Sequence, residues 1–170
     1  MAYLDRDGVR VHYEDSGGNG GDDRMPILLT HGFSASTGMW RGQVEALGGQ
    51  YRLIRMDMRG HGETLCHMDD DLFSQHHVVE DMRALLDHLG IEKAVIGGHS
   101  LGGFMSLTSI AVPTLVIIGD GDSDFLEGSN YMAGRIPGAI NVVVPGGGHG
   151  INVDQPEAVN RALGAFLATL

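Results

Sequence analysis

At 170 residues the chain is long enough for a single domain that buries its own core, and its one cysteine, Cys66, rules out an internal disulfide. Its formal net charge of −11 excludes a nucleic-acid surface, which needs clustered positive charge. No apolar run has the length to span a membrane and the first residues are polar, so a cytoplasmic protein with no membrane partner is expected.

Residues 9–14, Val-Arg-Val-His-Tyr-Glu, alternate as a half-exposed strand does. A polar, glycine-rich turn fills 16–23. Met25 to Thr30 is a continuous apolar run, the pattern of a strand buried on both faces, and it ends at His31-Gly32-Phe33. Met39, Trp40, Val44 and Leu47 predict a helix over 38–47. Residues 51–56 read as the next strand, stopping at Asp57, with Arg59-Gly60-His61-Gly62 as a loop. Asp69-Asp70-Asp71 is a solvated charge run. Ser74 then caps a helix to Leu89, with Val78, Val79, Met82, Leu85, Leu86 and Leu89 on one face and Gly90 as its stop.

Lys93 to Gly97 predicts a strand, and residues 101–110 a helix. Pro113 to Ile118 is a further buried strand, a short helix is expected near 130–136, and Ile140 to Val144 is the last strand. Pro156 opens a final helix carrying Val159, Leu163, Phe166, Leu167 and Leu170 at helical spacing. Strands alternate with helices, and most strands are continuously apolar. That predicts an α/β fold: a mostly parallel sheet covered by helices on both faces, with the first one or two strands antiparallel.

In such sheets the working residues gather beyond the carboxyl ends of the strands. Three of those ends carry a serine, an acid and a histidine, in that order. Ser100 lies in Gly98-His99-Ser100-Leu101-Gly102, a G-x-S-x-G sequence at a strand-to-helix turn, where a strained backbone lifts the hydroxyl clear of the sheet. Asp120, Asp122 and Asp124 follow the next strand, and His149 stands among glycines after the last. A serine hydroxyl needs an adjacent base, a histidine can take and return its proton, and a carboxylate fixes the histidine tautomer. The N–H groups of Leu101 and Phe33 suit an oxyanion hole.

Other readings of these residues are weaker. Asp120-x-Asp122-x-Asp124 opens like a calcium loop, but Phe125 stands where that loop needs glycine and Tyr131 where it needs glutamate. His61, His67, His76 and His77 are scattered, so no metal or other cofactor is expected. His31 reads as a residue that holds its loop in shape, His99 as a packing residue, and Asp57 and Arg59 as loop supports. Trp40 and Phe104 suit a pocket or the core equally.

Together, Thr30-His31-Gly32-Phe33, Asp57-Met58-Arg59-Gly60-His61-Gly62, Gly97 to Gly103, Gly119-Asp120-Gly121-Asp122, Gly147-Gly148-His149 and Gln155-Pro156-Glu157-Ala158-Val159 resemble the α/β-hydrolase superfamily, in its serine-nucleophile esterase and lactonase branch. The resemblance implies Ser100 as nucleophile, Asp122 as acid, by the family's Gly-x-x-Asp spacing, and His149 as base. It also implies Phe33 and Leu101 as oxyanion donors. Relatives that dehalogenate or open epoxides carry aspartate where this chain has Ser100. The expected function is therefore hydrolysis of a small carboxylic ester or lactone through an acyl-enzyme on Ser100. The alternatives are an inactive binding protein or truncated remnant, and a carbon–carbon bond hydrolase or cofactor-free perhydrolase with the same triad.

The chain departs from the family over residues 104–112, where relatives have the rest of the elbow helix, another strand and a helical cap. One domain over 1–170, with the cap absent between about 104 and 113, is the expectation. A helix over 101–110 rises about 15 Å, enough to return the chain and place the Pro113 strand directly beside the elbow strand. If that slot stays open instead, the exposed sheet edge offers a route to a homodimer.

Overall fold

The computed structural model describes residues 2–17, 22–64, 66, 74–107 and 113–170. His67, the Asp69–Asp71 run and residues 108–110 of the expected elbow helix lie outside them. Two units are distinguished, Met1–Ile110 and Ala111–Leu170.

In the first unit, Asp7 and Gly8 stand at φ 50° and 77° and turn β1 (Ala2–Arg6) straight into β2 (Val9–Asp15). An Asp-Gly pair favours this two-residue hairpin because both central positions need positive φ. The polar start of the chain hid β1, and the Asp-Gly pair was the signal for it. With β3 (Pro26–Thr30), β4 (Arg52–Met56) and β5 (Val95–Gly98), the strands form a sheet in the order β1-β2-β4-β3-β5. The β1–β2 and β2–β4 pairs are antiparallel, while β3 runs parallel to both β4 and β5.

A 3-10 turn at Thr37–Trp40 leads into α1 (Arg41–Leu47). α2 (Gln75–His88) begins at Ser74, whose hydroxyl accepts the His77 N–H at 3.3 Å, and gives way at Gly90, which stands at φ 68°. Its Val78, Met82 and Leu85 pack with Leu28, Ile54 and Met56 of the sheet and Met105 of α3 (Leu101–Leu107). Each such buried side chain contributes about 1.5–3 kcal/mol. Ile27, Leu29 and Leu53 are also buried, and the period-two alternation of strands turns them to the opposite face. Trp40 is buried, which places it in the core rather than in an open pocket.

The second unit is built on two parallel strands, β6 (Leu115–Gly119) and β7 (Ile140–Val144), in register from Leu115–Ile140 to Gly119–Val144. Between them runs α4 (Ser123–Arg135), which starts well before the helix expected near 130–136. The Asp122 carbonyl accepts the N–H groups of Phe125 and Leu126 at 3.1 and 2.9 Å, so the helix begins at once after the strand-end loop. Gly128 and Gly134, poor helix formers, obscured it in the sequence. α5 (Ile151–Asp154) and α6 (Pro156–Leu167) follow β7. Val144, Ile151 and Val159 form the centre of this unit's core, with Ile117, Val142 and Ala158 against them.

Within the first unit β5 is the last strand of the five-stranded sheet, and the second unit has its own two-stranded sheet of β6 and β7. Among the described residues no helix is long and apolar enough to cross a membrane.

Candidate active site

Ser100 sits between β5 and α3 at φ 49°, in the left-handed region that a residue with a Cβ enters at a cost of about 1–3 kcal/mol. The surrounding glycines let the turn close. A Cβ on Gly102 would stand 2.5 Å from the carbonyl oxygens of Thr30 and His31, and one on Gly98 would stand 2.6 Å from the Gly103 nitrogen. Hydrogen bonds then hold the turn: the Gly102 N–H donates to the His99 carbonyl at 2.8 Å and the Phe104 N–H to the Ser100 carbonyl at 3.0 Å. The His99 N–H donates to the Thr30 carbonyl at 3.1 Å, and the Thr30 hydroxyl to the Gly102 carbonyl at 3.1 Å. The loop after β3 is thereby tied to the elbow.

His31 fixes the shape of that loop. Its Nδ1–H donates to the Gly32 carbonyl at 2.7 Å, while its Nε2 accepts the Met58 N–H at 2.9 Å. The two bonds select the neutral tautomer, and burial, the largest influence, pushes the imidazole below its ordinary pKa. Phe33 follows on this loop; the residue is 74% exposed and its ring is edge-on to His61 at 5.5 Å. Among the described residues, neither the Phe33 nor the Leu101 N–H donates to a protein acceptor. Phe104, one turn beyond Ser100, is also exposed and is not a core residue.

Behind these loops lie two buried polar clusters whose partners were not apparent in the sequence. Asp57 accepts the Thr37 N–H at 2.6 Å, the Glu63 N–H at 3.0 Å and the His12 Nδ1–H at 2.8 Å. Arg59 is fully buried and forks onto Asp81, with Nε to Oδ2 at 2.6 Å and Nη2 to Oδ1 at 2.8 Å. That hydrogen-bonded carboxylate raises the arginine pKa still further and keeps the charge paired. Both residues act as the loop supports expected of them.

In the second unit, two strand ends touch backbone to backbone. A Cβ on Gly119 would stand 2.8 Å from the Gly147 Cα, and the Gly121 N–H donates to the Gly147 carbonyl at 2.9 Å. This contact brings the acid and the histidine together: His149 Nδ1–H donates to Asp122 Oδ2 at 2.7 Å. Asp122 is buried, while the His149 side chain is 44% exposed. In the neutral ring the Asp122 bond leaves Nε2 as the basic nitrogen. Asp120 instead accepts the Gly146 N–H at 2.7 Å, bracing the histidine loop, and Asp124 accepts from the Ser123 hydroxyl at 3.5 Å. Sequence reasoning missed Phe125, whose ring lies 4.6 Å from that of His149. Among the described residues no group of three His, Cys, Asp or Glu is arranged to hold a metal ion.

Residues 25–109 match the family model described as "alpha/beta hydrolase fold". The chain belongs to the alpha/beta hydrolase family. Human epoxide hydrolase 4 is 33% identical over 111 residues, which cover 65% of this chain and 30% of that protein. The dihydrolipoyllysine-residue acetyltransferase component of the acetoin cleaving system of Pseudomonas putida is 42% identical over 91 residues, covering 52% of this chain and 23% of that one. These matches span under a third of each relative's length. Among solved structures, the enol-lactonase from Burkholderia xenovorans LB400 superposes with a TM-score of 0.86 at 19% identity, over 98% of this chain and 100% of that one. At that identity the likeness shows the alpha/beta hydrolase fold alone.

Proposed function

We propose that this alpha/beta hydrolase is a serine hydrolase that cleaves small carboxylic esters or lactones through an acyl-enzyme on Ser100. The observation that carries the reading is Ser100 itself, held at φ 49° between β5 and α3 where a hydroxyl, not a carboxylate, would be the nucleophile. A carboxylate nucleophile is what an epoxide-opening relative would need, so the serine favours acyl chemistry.

In this reading the Ser100 Oγ attacks the carbonyl carbon as its proton passes to His149 Nε2, and the carbonyl π electrons move to oxygen. The Phe33 and Leu101 N–H groups donate to that oxyanion, and each such donor is worth about 3–4 kcal/mol in related chemistry. Asp122 holds the Nδ1–H and stabilises the imidazolium. Collapse of the intermediate breaks the ester bond, and the leaving oxygen takes the proton from His149. Water then repeats the sequence, freeing the acid and restoring Ser100.

The competing reading keeps the same fold without turnover. It makes the chain a non-catalytic binding protein that keeps the hydrolase fold. Two assays separate them. The serine-hydrolase reading expects turnover of short-chain nitrophenyl esters, rapid labelling by a fluorophosphonate, and loss of both in Ser100→Ala, with activity down about 10⁴-fold or more. Labelling that persists in Ser100→Ala, or wild-type protein that neither labels nor turns over, would overturn it.

A further inference from the structure

The first turn of α4 carries two residues that meet His149. Asp122 precedes the helix and reaches the ring at its edge, Nδ1 to Oδ2 at 2.7 Å. Phe125, three residues on, meets the ring at its face, with centroids 4.6 Å apart and planes inclined by 33°. The two are fixed relative to each other, since the Phe125 N–H donates to the Asp122 carbonyl at 3.1 Å. A centroid separation of 4.6 Å lies within the range over which aromatic rings attract one another.

The Asp122 bond and the Phe125 ring constrain different motions of the imidazole. The bond sets the tautomer and one direction of the ring, and by itself does not fix rotation about the Nδ1–H···Oδ2 line, which would swing Nε2 through an arc. A ring packed against the imidazole restricts that rotation.

We infer that Phe125 is a positioning residue for His149: its ring fixes the plane of the imidazole, and with it the direction in which Nε2 faces. The same ring lies within cation–π distance of the imidazolium that forms during proton transfer and favours it. The inference rests on the serine-hydrolase reading for its kinetic consequence, but not for its geometry.

The test therefore has two arms. In the first, the imidazole ring protons of His149 are assigned by NMR with a His149→Gln reference. Wild-type protein and Phe125→Tyr are expected to show them shifted upfield by the stacked ring, and Phe125→Leu to lose that shift. In the second, nitrophenyl ester kinetics are expected to show kcat falling between about two- and tenfold in Phe125→Leu, with KM unchanged and Phe125→Tyr restoring kcat. Ring-proton positions that do not move in Phe125→Leu would overturn the inference, as would a loss of kcat that Phe125→Tyr does not restore. Wild-type protein inactive on every ester would sink the hydrolase reading instead and leave the NMR arm to decide this one.

Discussion

Removing the Asp57 carboxylate tests the claim that one buried acid holds the loops behind the elbow. Three donors converge on it: the N–H groups of Thr37 and Glu63 and the Nδ1–H of His12. Asp57 and His12 are both buried, so water cannot replace the lost acceptor. Each buried donor left unpaired costs about 1–3 kcal/mol. Asp57→Ala should therefore destabilise the first unit by about 3–9 kcal/mol, comparable to the whole stability of an ordinary domain. Asp57→Asn is the informative contrast. Its carbonyl oxygen can still accept from Thr37. Its amide then faces His12, whose Nε2 has no partner among the described residues. Moving the His12 proton to Nε2 turns Nδ1 into an acceptor for the new amide, but leaves the Nε2–H and the Glu63 N–H unpaired. The expected cost is about 2–6 kcal/mol, below that of Ala. Urea unfolding followed by backbone circular dichroism reads the difference. With a slope near ~2 kcal/mol per M, Asn should lower the midpoint by about 1–3 M and Ala by about 1.5–4.5 M. Equal shifts for the two variants, or an Ala cost under about 1 kcal/mol, would refute the reasoning.

Gly119→Ala drives a methyl group into the Gly147 backbone and should destabilise the second unit by about 1–3 kcal/mol, or separate Asp122 from His149. Faster amide exchange in β6 and β7, with β1 to β5 unchanged, is the expected signature. His31 sets a pH dependence. Its folded pKa lies below the ordinary histidine value, so below about pH 6.5 the unfolded chain binds the proton first. Its contribution to stability is complete above that value and falls as pH drops toward the folded pKa, by at most about 1.4 kcal/mol per pH unit. Unfolding midpoints measured from pH 7.5 to 5 should fall less steeply in His31→Gln than in the wild type; equal slopes would show that this buried imidazole is not the source.

The elbow was legible because its demands are local. A serine forced to positive φ must have glycines at Gly98 and Gly102, and these stand beside it in the chain. The order of serine, acid and histidine was legible for a similar reason, since each follows a strand whose apolar run marks it. The supports of the site were not. Asp57 meets His12 across 45 residues of sequence, and Arg59 meets Asp81 across 22, so no spacing rule links them. Phe125 stood three residues from Asp122, a spacing that puts two side chains on one side of a helical turn. It went unread because α4 was expected to start later than Ser123.

What the sequence determined by itself was the kind of backbone at each point: alternating apolar strands and amphipathic helices, a strained serine turn, and glycines where chains must pass closely. These are constraints between near neighbours, and composition records them. What only the tertiary structure decided was which polar groups meet. Only the resemblance to a family singled out Asp122 from Asp120 and Asp124; the register of β6 on β7 sets Gly119 against Gly147, and His149 pairs with Asp122. Likewise His31 became a neutral brace only when packing brought Met58 to its Nε2. A hydrogen bond is satisfied by whichever partner the fold delivers at bonding distance, and sequence separation does not enter its energy.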